Sequence, residues 1–336
     1  MANTSVSQNK RLKRQTQSIV KILIIFLLLV ICIGLVVSKA YLKTNQSINY
    51  LNNDQIMTSL QERVIPNPFS PEEQKYLASF NIPEDKLKSL ILSNKFIYSE
   101  MPIYSEQLNL YPLYSVNYAL NYVLYPNVKS NFYQDIRTVK NTNDYLVLVN
   151  KNYKLPDYYR PDDLVLLDVP LFNQSPDNET NYLRKAAATA LKDLFNAAMN
   201  EGYYLIARSG FRSYETQISL YNKYVKTKGQ AYADLYSARA GHSEHQTGLT
   251  IDITTKSVNS ELIQAFGSTP EGKWIETNAH HFGFIIRYPQ DKKDEVGYEY
   301  EPWHLRYVGI EAATNIYNSN MILEDYILDQ NLIDNL

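Results

Sequence analysis

The run Ser243-Glu244-His245-Gln246-Thr247-Gly248-Leu249-Thr250-Ile251-Asp252, followed further on by Glu301-Pro302-Trp303-His304, restricts the fold more than any other part of the chain. Two histidines and two acids can share chemistry only if a loop, the strand after it and a second strand come to lie side by side. Gly248 allows a turn between His245 and Asp252, so that a loop residue and a strand residue converge. Pro302 bends the backbone between Glu301 and His304 and removes a ladder donor. Two imidazoles and a carboxylate form a three-ligand set for zinc with the fourth position open, and Glu301 beside them can take a proton from water. Each piece alone has an ordinary reading: a chance His-x6-Asp, a surface ion pair of Glu301 with His304, a salt-bridged structural arginine at Arg212. Only their combination points to a metal hydrolase.

The N-terminus sets the topology. Lys10, Arg11, Lys13 and Arg14 precede an uninterrupted apolar stretch from Ile22 to Val37, extendable to Ile19 because the long stem of Lys21 can snorkel. Residues 19–40 are therefore expected to span a membrane, with the basic tail 1–18 cytoplasmic and everything after Ala40 outside. Ser38-Lys39-Ala40 also satisfies a signal-peptide cleavage rule, which would make the protein secreted; the long basic lead favours a retained anchor. Cys32 is the only cysteine and lies in this apolar run, so no intrachain disulfide can form. Ile31 before it argues against lipid attachment. With 33 Lys+Arg against 35 Asp+Glu and a net charge of -2, nothing suggests nucleic acid as a partner. Oligomeric state is not legible.

Residues 41–142 read as a helical stalk or accessory region. Ser70 and Pro71 start one helix, a second begins near Pro83, and Ser115 to Leu124 forms a third. Texture changes at 143. Tyr145-Leu146-Val147-Leu148-Val149 is a compact β-prone run that reads as a strand and Leu164 to Leu167 as a short buried strand or coil, followed by a helix from Asn178 to Asn200 that ends before Gly202. Tyr203 to Ala207 is a strand leading to Arg212, with Ser213 capping the next helix, so Arg212 sits at a rigid strand-to-helix corner. A helix near 231–238, strands at 249–254, 284–286 and 303–308, and a helix from Pro270 to about His281 complete the region. Residues 316–336 form a helical tail.

Ser209-Gly210-Phe211-Arg212-Ser213, the run from Ser243 to Ile253, and Gly297 to Gly309 together resemble the VanY-type D-alanyl-D-alanine carboxypeptidases, a group of zinc peptidases. The likeness spans roughly 143–313 and leaves residues 1–142 outside it. It implies an α+β fold of the Hedgehog/D-Ala-D-Ala peptidase type, a small mostly antiparallel sheet flanked by helices, in a domain over 143–315. By the same resemblance His245, Asp252 and His304 bind zinc, Glu301 is the general base, Arg212 stabilises the oxyanion, and Gln217 and Ser243 position the terminal residue of the substrate. Phe211, Thr250 and Ala240 depart from the usual tyrosine, alanine and proline without removing a ligand. His242 is expected beside the ligand loop or facing solvent, and His280 and His281 have no expected ligand role. The implied activity is removal of the C-terminal D-alanine from peptidoglycan stem peptides by an enzyme facing the wall of a Gram-positive-type cell. The alternatives are L,D-cleavage of tetrapeptide stems and a zinc-bearing domain that binds wall peptides without cutting them.

Overall fold

The structure, a computed structural model, describes residues 69–333. Residues 69–79 fall in one compact unit and 80–333 in another. The expected cytoplasmic tail and membrane segment lie outside the described residues. Among the described residues no helix is long and apolar enough to cross a membrane. In the first unit α1 (Pro71–Ala78) begins as the sequence indicates: Ser70 Oγ accepts from Glu73 N at 3.3 Å, and Glu73 Oε2 accepts from Ser70 N at 2.7 Å. Such a reciprocal cap contributes about 1 kcal/mol.

The second unit opens with α2 (Glu84–Ile91), α3 (Met101–Leu110) and α4 (Val116–Leu124), then a short parallel pair, β1 (Arg137–Thr138) with β2 (Tyr153–Lys154), and an antiparallel pair, β3 (Leu164–Leu166) with β4 (Tyr182–Arg184). After these come α5 (Lys185–Asn200), β5 (Ile206–Ser209), α6 (Tyr214–Lys228), α7 (Gln230–Tyr236) and β6 (Thr250–Thr254). Next are α8 (Pro270–Asn278), β7 (Phe284–Tyr288), α9 (Lys293–Val296), β8 (Glu301–Tyr307), α10 (Ile310–Ser319) and α11 (Leu323–Asp329).

A four-stranded antiparallel sheet of order β5-β6-β8-β7 carries the site. Asp252 lies opposite His304, Thr250 opposite Arg306 and Ile251 opposite Leu305. Directly opposed residues share a face, so Thr250, Asp252, His304 and Arg306 line one side and Ile251, Ile253 and Leu305 the other. The apolar side is fully buried in one core with Leu191, Leu194, Ile275 and Ile316. Each such side chain contributes roughly 1.5–3 kcal/mol by leaving water. A one-residue slip would exchange the faces and drive Asp252 and His304 into that core, so the apolar pattern holds the polar one in place. On β8 the stretch from Glu301 to Leu305 faces only Tyr288 to Ile286 of β7. The extra β8 residues bulge, which is how Glu301 and His304, three apart, reach the same side.

The structure corrects three expectations. Tyr145 to Val149 forms no strand, although Val147, Leu148 and Val149 are buried. The carbonyls of Tyr145 and Val147 accept instead from Arg306 Nη2, at 3.0 and 2.7 Å, so a guanidinium replaces the ladder. The long helix begins at Lys185 rather than Asn178, because Tyr182 to Arg184 pair with Leu166 to Leu164 first; β3 itself is only partly buried. No break appears near residue 143 or 316. Residues 80–142 and α11 belong to the same unit as the sheet, and α11 is buried along its whole length. Asn121 Nδ2 donates to Leu328 O at 2.7 Å, Ser115 N to Asp329 Oδ1 at 2.6 Å, and Lys129 pairs with Asp325 at 2.6 Å. The polar residues that read as a spacer are thus partners for the acids of the last helix.

Candidate metal centre

His245 sits in a single 3-10 turn, Glu244–Thr247, that ends at Gly248 with φ +66°. A side chain there would strain the backbone and put a Cβ 2.9 Å from Leu164 Cδ2. The turn hands the chain directly to β6, and Asp252 and His304 then face each other across the β6–β8 ladder. Donor atoms of His245, Asp252 and His304 all lie within 4.8 Å of one another, and the three residues are buried. His245 Nε2 is 3.4 Å from Asp252 Oδ2, and His304 Nδ1 is 3.2 Å from Asp252 Oδ1. His245 Nδ1 lies 2.8 Å from Gly210 O. A carbonyl only accepts, so Nδ1 carries the hydrogen and Nε2 keeps its lone pair towards the cluster. Gly210 is required there, since a Cβ would come 2.5 Å from Tyr182 O. Burial pushes the His245 ring down to about 3, which keeps it neutral and able to ligate. Burial also works against a charged His304, but Asp252 and Glu244 outweigh it and raise that ring to about 9. Asp252 Oδ1 is buried with no hydrogen-bond donor on it. Buried orphan acceptors are rare, and two imidazoles with one such carboxylate suit a divalent transition metal.

Glu301 Oε2 stands 3.5 Å from His304 Nδ1. Burial, with Asp252 adding to it, raises its carboxyl to about 8, the direction that makes a carboxylate a stronger base. Arg212 occupies the expected corner after β5, and Ser213 Oγ caps α6 by accepting from Thr216 N. Its guanidinium donates from Nη1 to Gln217 Oε1 at 2.9 Å and from Nη2 to Ser209 Oγ at 3.0 Å. Gln217, expected beside the terminal residue of the substrate, commits both ends of its buried amide to protein: Nε2 donates to Ala238 O at 2.6 Å and Ser237 Oγ at 3.2 Å. It braces Arg212. Ser243 is buried immediately before the His245 turn. His242 faces inward rather than to solvent, with Nδ1 2.8 Å from Asn150 O. His280 stacks on Tyr317, ring centroids 4.0 Å apart, and neither it nor His281 joins the ligand cluster.

The family model for VanY, D-alanyl-D-alanine carboxypeptidase, matches residues 180–310, a span that contains all seven of these expected site residues. YodJ of Bacillus subtilis, a carboxypeptidase by name, is 48% identical over 206 residues, which cover 60% of this chain and 75% of YodJ. The chain belongs to the VanY family. Among solved structures, that of the LdcB L,D-carboxypeptidase, concerned with peptidoglycan recognition, is 48% identical, covers 58% of this chain and 91% of LdcB, and has a TM-score of 0.56. A vancomycin-resistance D,D-pentapeptidase VanY variant solved in complex with Zn(II) is 35% identical over 55% of this chain and 98% of its own, with a TM-score of 0.45.

Behind the His245–Asp252–His304 cluster lies a set of charges that motif reading passed over. Glu244 Oε1 accepts from Arg287 Nε at 2.8 Å and Arg306 Nη1 at 2.7 Å. The remaining fork of Arg287 grips Glu324 of α11, Nη2 to Oε1 at 2.6 Å and Nη1 to Oε2 at 2.9 Å. All four residues are at most 1% exposed, and their charges sum to zero. Burial would raise the Glu244 carboxyl, but the two guanidinium groups hold it well below the usual carboxylate range. The available signal was an arginine inside each of two apolar strands, Phe284-Ile285-Ile286-Arg287-Tyr288 and Leu305-Arg306-Tyr307, where a lone charge cannot be stable without a partner.

Proposed function

We propose that this chain is a zinc carboxypeptidase that removes the C-terminal D-alanine from peptidoglycan stem peptides. The observation that carries the reading is the pairing of Asp252 with His304 across β6 and β8, closed by His245 and flanked by Glu301. Zinc held by these three residues would supply a Lewis acid and lower the pKa of a bound water to about 7. Glu301, a base raised by burial, takes the proton of the attacking water and returns it to the leaving amine. Arg212, fixed by Gln217 and Ser209, faces the negative charge that develops on the scissile carbonyl oxygen and needs no reorganisation to do so. A domain that only bound wall peptides would have no use for a buried base beside the metal cluster.

The family description favours a D-alanyl-D-alanine bond, as in pentapeptide stems. A second reading, L,D-cleavage of tetrapeptide stems, is favoured by the 48% identity with LdcB. The reading extends to place: residues 19–40 anchor the protein in the membrane and the catalytic unit faces the wall, which protease accessibility on intact cells would test. For the chemistry, muropeptide penta- and tetrapeptides are incubated with the full-length protein, with and without a chelator, and weighed by mass spectrometry. Loss of one alanine from the pentapeptide, abolished by chelator, supports the D,D reading, and loss from the tetrapeptide alone moves the enzyme to the L,D class. No cleavage by a protein holding one zinc would leave only the binding domain.

A further inference from the structure

The buried charge cluster has one free corner, and it points at a metal ligand. Both guanidinium contacts of Glu244 use Oε1. Its Oε2 is turned the other way, 3.5 Å from Thr250 Oγ1 and 3.7 Å from His304 Nε2. The opposite ring nitrogen, Nδ1, is the one that faces Asp252 and Glu301. Nε2 is buried with no hydrogen-bond partner, and Glu244 Oε2 is the carboxylate oxygen on its side; once a metal at the cluster takes the Nδ1 lone pair, the remaining ring hydrogen is on Nε2, where that carboxylate favours it. Glu244 cannot rotate away while two guanidinium groups hold its other oxygen, and Arg287 cannot move while its fork is closed on Glu324. Glu324 lies in α11, beyond the residues 180–310 that the family model matches.

We propose that the metal centre is set from the C-terminal helix: Glu324 locks Arg287, Arg287 and Arg306 fix Glu244, and Glu244 selects the His304 tautomer that presents Nδ1 to the metal. Glu244 and Glu324 are positioning residues, since neither joins the ligand cluster. α11 is then a working part of the centre rather than a tail. Asp325, its neighbour on α11, provides the contrast, because it pairs with Lys129 and Tyr114 and touches none of this relay.

The inference rests on the reading of His245, Asp252 and His304 as zinc ligands, and its test separates the two. Zinc dissociation constants are measured on the full-length protein in detergent by competition with a chromophoric chelator, for wild type, Glu324→Gln and Asp325→Asn, alongside Tm. Nitrogen-15 spectra of the zinc-loaded proteins report the Nε2–H of His304 and the hydrogen bond it makes. A supporting partner of a ligating histidine is worth roughly 10–100-fold in metal affinity. Glu324→Gln is expected to weaken zinc by about tenfold and to shift the Nε2–H resonance of His304, whereas Asp325→Asn lowers Tm and leaves both unchanged. Equal losses in the two variants would mean that α11 only supports the fold, and no loss in Glu324→Gln would mean that the relay does not reach His304; either overturns the proposal. Should Glu324→Gln fail to fold, Glu244→Gln, which keeps the Arg287–Glu324 fork, carries the same expectations. Wild-type protein that binds no zinc would overturn the metal reading itself, and with it this inference.

Discussion

Two buried glutamates on the same side of the sheet have opposite fates. Glu244 is gripped by Arg287 and Arg306 and held ionised far below the usual range, while Glu301, with no guanidinium bonded to it, is pushed up to about 8. Burial is comparable in the two. What differs is whether the fold supplies donors, and that separates a carboxylate held ionised from one whose proton affinity is raised. The same contrast holds for the clusters around them. Glu244, Arg287, Arg306 and Glu324 satisfy one another, whereas the His245–Asp252–His304 set keeps a carboxylate oxygen without a donor.

The sharpest way to break this comparison is Glu301→Ala, expected to lower the rate of alanine release by roughly 10²–10⁴-fold while zinc content and Tm stay put. Retained turnover would assign the base elsewhere. In the other cluster, Arg287→Met leaves Glu324 buried without its guanidinium and Glu244 with Arg306 alone, and should cost about 3–5 kcal/mol of unfolding free energy in urea. A far smaller loss would mean that the cluster is not what it looks like. His242 tests burial without a charged partner. Burial lowers its ring from 6.5 to about 4. The unfolded chain therefore binds the proton more readily; the stability is complete above pH 6.5 and is lost as pH falls from there to 4, by at most about 3 kcal/mol. Urea denaturation of metal-free protein at pH 7.5 and 4.5 should show a flatter dependence for His242→Gln than for wild type, and equal slopes would refute the assignment. Smallest of all is Lys192→Ala. Lys192 and Asp168 approach as closely as Arg287 and Glu324, at 2.6 Å, but in solvent. Its Tm should not move, because distance without burial confers little.

Local chemistry explains what could be read in advance. Ser70 with Glu73 and Ser213 with Thr216 are caps within one turn, so the starts of α1 and α6 follow from residues three apart. Gly248 marks the left-handed exit that delivers Asp252 onto β6, and alternation along Ile251, Asp252 and Ile253 puts Asp252 on the polar face. Tyr145 to Val149 failed as a strand for the opposite reason. Its β-prone composition was genuine, but its carbonyls are claimed by Arg306, far along the chain. The contacts that cross residues 143 and 316 were hidden for a similar reason, since Asn121, Lys129 and Ser115 look like spacer residues until their acceptors on α11 are known.

The sequence by itself brought out His245, Asp252 and His304 as a candidate ligand set, Glu301 as a candidate base, the rigid corner that carries Arg212 and the two-faced sheet, because each depends on spacing along one or two elements. Only the tertiary structure decided that Gln217 braces Arg212, that α11 is core, and that Glu244 stands between two arginines and His304. A buried charge is stable only beside its partner, and partners brought together from opposite ends of a chain leave no periodicity to read.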